Sequence, residues 1–99
     1  MKLLTKELKK ELPTHKEADK MNDPEVICKF FHPMSDWTWY AISYNPETKT
    51  FFGVVDGLVV EMGEFSLEEL QGVSVYGLGI ERDKFWEKIT LSELKEKLH

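Results

Sequence analysis

The sequence predicts an α+β domain: an antiparallel meander sheet of four to five strands with short N- and C-terminal helices packed on it. Three observations carry this reading. Aromatic and β-branched residues gather in short runs through the middle of the chain, as in Trp37-Thr38-Trp39-Tyr40. Turn residues separate those runs by only a few positions, and such short connections join antiparallel neighbours, because a parallel pair needs a long crossover. Outside the runs, leucine spacing and capping residues mark helices. The 99 residues form one domain, with little room for a second core.

Taken in order, Leu4, Leu8 and Leu12 recur every four residues and share one face of a short helix. Thr5 caps its start, and Pro13 ends it by disfavouring helical geometry in the residue before it. Residues 13–24 are polar and bounded by prolines, and read as a mobile loop. Four strands follow: Val26–His32, Trp37–Tyr44, Thr50–Val55 and Leu58–Phe65. Between the last two, Asp56-Gly57 carries the hairpin signal of a type I′ turn, whose central residues need positive φ. Ser66 then caps a helix, with Glu69 reaching back and Phe65 stapled to Leu70; Thr90, Glu93, Ile89 and Leu94 repeat the device. Gly72 stops the first of these helices, while the last turns Leu91, Leu94 and Leu98 inward. Phe85–Ile89 reads as a fifth, short strand.

Composition narrows the function classes. No apolar run approaches the roughly 18 residues that span a bilayer. The early charges of the N-terminus do not suit a signal peptide, so a cytoplasmic location without membrane contact is expected. A single cysteine, Cys28, cannot form an internal disulfide. The net charge of −5 is uneven: residues 1–20 are net positive, and no Lys or Arg lies between Lys49 and Arg82. Proteins that track phosphates want the opposite balance, which disfavours direct nucleic-acid binding.

Several segments together resemble one family: Met1–Leu8, Trp37-Thr38-Trp39-Tyr40, Phe51–Gly57, Glu61–Leu70 and Gly79-Ile80-Glu81-Arg82-Asp83. They are similar to small bacterial proteins grouped as a domain of unknown function, number twenty-nine fifty-eight. Members of that group are often carried on plasmids and integrative conjugative elements. The resemblance implies an accessory protein of a mobile element and supplies no mechanism.

The residues themselves offer few sites. Cys28 and His32 share a strand face but stand roughly 13 Å apart, too far to hold one zinc ion. Trp37 and Trp39 point to one face, which their pairing marks as core; His32 reads as a surface or strand-end residue. Glu61 and Glu64 point to opposite faces of their strand. Glu68 and Glu69 complement the positive end of a helix dipole. Glu81-Arg82-Asp83 is a charged cluster on a loop near glycines, with Arg82 forming an internal clamp to a carboxylate or meeting a ligand phosphate. Gly77-Leu78-Gly79 lacks the spacing of a phosphate-binding loop, and no nucleophile motif is present, so no cofactor and no metal are expected.

The first expectation is therefore a non-enzymatic protein that binds a host or element-encoded protein, with Glu61, Glu64, Glu68, Glu81, Arg82 and Asp83 as partner-binding candidates. A sharper form makes its acids a nucleic-acid mimic with an anti-defence role. A second expectation is a single-stranded nucleic-acid module stacking bases on Trp37, Trp39 or Tyr40. The third is an enzyme built around Glu61, Arg82 and Asp83.

Overall fold

A computed structural model describes all residues, Met1–His99. Helix α1 spans Lys6–Glu11 and α2 His15–Asp19. Two short strands follow, β1 (Glu25–Val26) and β2 (Cys28–Phe31), then the long strands β3 (Thr38–Asn45), β4 (Thr50–Asp56) and β5 (Val60–Ser66). Helix α3 (Leu67–Gly72) leads to β6 (Ser74–Val75), β7 (Leu78–Gly79) and β8 (Glu81–Arg82). The chain closes with β9 (Ile89–Thr90) and α4 (Leu91–Lys97).

The central sheet has the order β5-β4-β3-β2-β8, antiparallel throughout. The meander is thus as expected, but its fifth strand is Glu81–Arg82 rather than Phe85–Ile89. Phe85 is instead 91% exposed, and Ile89 joins a separate two-stranded pair with β1. The first strand breaks at Ile27, because Val26 pairs with Ile89 while Cys28 pairs with Ala41.

Both faces of the sheet are covered, so β3 is buried from Tyr40 to Tyr44. On one face Leu3, Leu4, Leu12 and Leu70 pack against Phe30, Ala41, Tyr44, Phe51 and Phe65. On the other, Ala18 and Leu94 pack against Val26, Tyr40, Ile42 and Val54. A register shift between Ala41 and Ser43 lets the central strand serve both layers. No helix is long and apolar enough to cross a membrane.

Caps explain most helix ends. Thr5 Oγ accepts from Leu8 N–H, and Thr90 and Glu93 form the full reciprocal box. At α3, Ser66 Oγ accepts from Glu69 N–H, without a return bond from the Glu69 side chain. Gly72 is the last residue of α3 and does not adopt positive φ; Val73 caps the helix in extended geometry. The polar stretch 13–24 contains α2, whose Thr14 and Glu17 form another complete box.

The turns differ from expectation in one informative way. Gly57 does not have positive φ; the positive-φ pair is Tyr76 (54°) and Gly77 (78°), at the tip of the β6–β7 hairpin. Gly57 instead lies against the Trp37 ring, where a Cβ would come within 2.4 Å and displace the exposed indole.

Candidate functional site

The six residues expected to meet a partner do not form one site. Glu61 and Glu64 lie exposed on β5, the outer strand, and face opposite sides of it. Glu68 lies exposed in the first turn of α3. Glu81, Arg82 and Asp83 lie at or beside β8, the other edge of the sheet. Four strand spacings separate the two edges, roughly 19 Å. No pocket brings Glu61 to Arg82 and Asp83, so the enzyme expectation loses its assembled site.

Around β8, Arg82 closes a shallow cleft of about 410 Å³ with Lys29, Asp83 and Phe85. Within the chain it meets backbone and no carboxylate: Nη1 donates to Lys2 O at 2.7 Å and to Leu3 O at 3.2 Å. The guanidinium thereby holds the N-terminal segment that supplies Leu3 and Leu4 to the core. Asp83 is also occupied structurally: Oδ1 accepts from Phe85 N–H, and Oδ2 stands 4.0 Å from Lys29 Nζ. The Lys29 ammonium also lies over the rings of Tyr40 and Trp86. These bonds make the cluster a strap on the fold.

Two histidines are engaged inside the protein. His32 is buried rather than at the surface; its Nδ1 accepts from Met34 N–H, so its Nε2–H donates to Leu78 O at 3.0 Å. His15 Nδ1 lies 2.6 Å from Ser43 Oγ, a pairing that resembles a nucleophile with its base. Ser43 is wholly buried, however, so no substrate reaches it, and the pair pins α2 onto β3. Cys28 is also buried, and its desolvated thiol is pushed up to about 12. No group of three or more metal-ligating side chains occurs.

The tryptophans supply a surface that the sequence reading assigned to the core. Trp37 is 40% exposed, and Trp39 is half-buried with its ring centroid 5.9 Å from that of Trp37. The covering layer described above packs over the Phe51 and Phe65 end of the sheet and leaves the Trp37 end open. Here His32, Trp37, Trp39, Val73, Val75 and Ile80 line a groove of about 380 Å³. Exposed Leu58 and Val59 continue the apolar surface from the β4–β5 hairpin, whose Gly57 rests on Trp37. Leu78 and Tyr76 extend it along β6–β7. Tyr40, by contrast, is buried in the opposite layer and cannot stack on a base.

A family model described as "Protein of unknown function (DUF2958)" matches residues 3–97. The chain belongs to the DUF2958 family. No curated protein and no solved structure matches this DUF2958 chain. The tryptophan groove is a concave, mostly apolar surface of its fold, and neither the family description nor the acidic residues pointed to it. Its sequence signal was the alternation of Trp37 and Trp39 directly after Pro33-Met34-Ser35-Asp36, where a strand emerges from a turn at the edge of the core.

Proposed function

We propose that this DUF2958 protein is a non-enzymatic binding protein that engages another protein through the tryptophan end of its sheet, in the service of a mobile genetic element. The exposed apolar cluster around Trp37 carries this reading. Isolated exposed apolar residues are ordinary, but a contiguous patch beside a groove is characteristic of interaction surfaces. Trp37, Val59, Val75 and Leu78 are all more than a third exposed in this one region. Service to a mobile element rests on the family resemblance alone.

The other classes find less support. A nucleic-acid mimic needs acids in a row, whereas Glu61 and Glu64 face opposite sides of β5. A base-stacking module needs cations beside its aromatics, whereas no Lys or Arg lines the groove.

Affinity purification from the native cells with wild-type chain and with Val59→Asp tests the reading. Val59 is 63% exposed, so the substitution leaves the core intact. A protein retained by the wild type and lost by the variant is the expected result. An unchanged set of retained proteins would overturn it.

A further inference from the structure

We infer that β5 is an open sheet edge that takes up an extended, basic segment of another protein as a sixth strand. This goes beyond the groove reading and does not rest on it. Two backbone bonds set the pattern: Gly57 N–H donates to Val59 O, and Leu67 N–H donates to Lys49 O. Hydrogen-bonded pairs alternate with unbonded ones along an antiparallel ladder. The continuous register between those two bonds therefore turns Glu61, Gly63 and Phe65 toward β4. Val60, Met62 and Glu64 turn their N–H and C=O groups the other way, where no strand follows. These donors and acceptors repeat every two residues, roughly 7 Å, a spacing that another extended chain matches along its length.

The two edges of the sheet are finished differently. At β8, only two residues long, the outward N–H of Arg82 donates to Met1 Sδ at 3.0 Å, and the N-terminal segment lies alongside. Strand β5 runs for seven residues with no proline, no lysine and no register shift against β4. Folds commonly blunt exposed edges with those devices. Val60 is 51% and Met62 40% exposed, so the ladder is reachable from solvent. Gly63 adds room, since a Cβ there meets nothing within 4 Å.

Charge selects the partner. Glu61 and Glu64 flank the edge on opposite faces, and both ion pairs of the chain lie elsewhere, at Lys29–Asp83 and Lys88–Glu11. Arg82 shares the row and face of Glu61 but stands four strand spacings away, roughly 19 Å, against a screening length of about 8 Å at physiological salt. The Glu64 face adds Asp56, opposite Val60, and Asp19, which lines a hollow with Met62 and Phe52. Lys49 lies at the far end of the ladder, opposite Leu67. A second copy laid antiparallel on this edge brings four carboxylates into one ladder without a cation, which disfavours self-pairing. A strand with Lys or Arg opposite Glu61 and Glu64 places its two cations three residues apart, one on each face.

The probe is the blocked heptapeptide Thr-Lys-Phe-Val-Lys-Val-Thr, whose central valine falls opposite Met62 in the antiparallel register. Backbone amide exchange in the full-length ¹⁵N-labelled chain reads the edge directly. In the free chain Met62 and Glu64 should exchange fast, while Glu61 and Gly63, bonded to β4, exchange slowly. The peptide should slow Met62 and Glu64 several-fold and bind roughly tenfold more tightly than its glutamate-for-lysine counterpart. N-methylation of the central valine, whose N–H meets Met62 O, should abolish this protection. N-methylation of the phenylalanine, whose N–H points away from β5, should leave it. The double variant Glu61→Lys/Glu64→Lys should reverse the charge preference; both side chains are exposed, so the core is untouched. Slow exchange of Met62 and Glu64 in the free chain would show the edge covered, by a second copy if the chain sediments as a dimer, and would overturn the inference. Equal binding of the two peptides, or equal effects of the two N-methylations, would overturn it as well. The amides of Met62 and Glu64 report on the edge alone, so loss or retention of a cellular partner by Val59→Asp decides the groove reading separately.

Discussion

At Cys28, desolvation moves the thiol from an ordinary 9.0 to about 12, and this couples one core position to the pH range of stability. Below pH 9 the thiol is protonated in both states and contributes no slope. Above it the unfolded chain loses the proton that the folded chain keeps, so stability falls with rising pH by up to about 1.4 kcal/mol per unit. Burial raises Tyr40 and Tyr44 in the same direction. Urea unfolding followed from pH 8 to roughly pH 11 should show this decline. Cys28→Ala should flatten it in part; an unchanged slope would remove the cysteine from the account. Arg82 gives a second prediction. Replacement by methionine removes Nη1, the nitrogen that donates to both Lys2 O and Leu3 O. A loss of about 1–2 kcal/mol in denaturant unfolding is expected, and wild-type stability would contradict the clamp. Its partners were not legible in sequence because they are backbone atoms some eighty positions away, whereas a carboxylate partner is the usual expectation for an isolated arginine.

Strands and helices differ in how openly the chain declares them. Caps are local, so Thr5, Thr90 and Glu93 reveal themselves within four residues. Helix α2 followed the same rule: Thr14 and Glu17 form a box, although only Ala18 among its residues is buried and no apolar period advertises it. The exposure of Trp37 was not legible, because it depends on how far the covering layer extends and not on the strand itself. Strands β8 and β9 were misplaced because two-residue strands have no periodicity to read. Glycines at paired positions show the limit well. Gly53 and Gly63 face each other across β4 and β5, yet a Cβ on Gly53 would lie 1.8 Å from Tyr40 O while one on Gly63 meets nothing within 4 Å. Gly53→Ala should abolish or severely weaken folding through backbone overpacking. Gly63→Ala should change stability by no more than about 0.5 kcal/mol. Circular dichroism melts of the two variants check this, and similar melting temperatures would contradict it.

For the whole molecule, the two edges of the sheet differ in charge as well as structure. One outer strand carries Glu61 and Glu64, while the opposite edge mixes Arg82, Lys29 and Lys84 with Glu81 and Asp83. The split of the first strand at Ile27 has a further consequence. Beyond that break, β9 and α4 are tied to the rest through Val26, Pro24 and Asp23: Leu91 N–H donates to Pro24 O, and Ser92 binds the Asp23 carboxylate. Leu94 also anchors this layer on Tyr40, Ile42 and Val54, so its ends, β9 and the last turn of α4, should exchange their amides with solvent ahead of those in β3 and β4. The C-terminal layer can then breathe while the face that carries Trp37 and Trp39 keeps its shape.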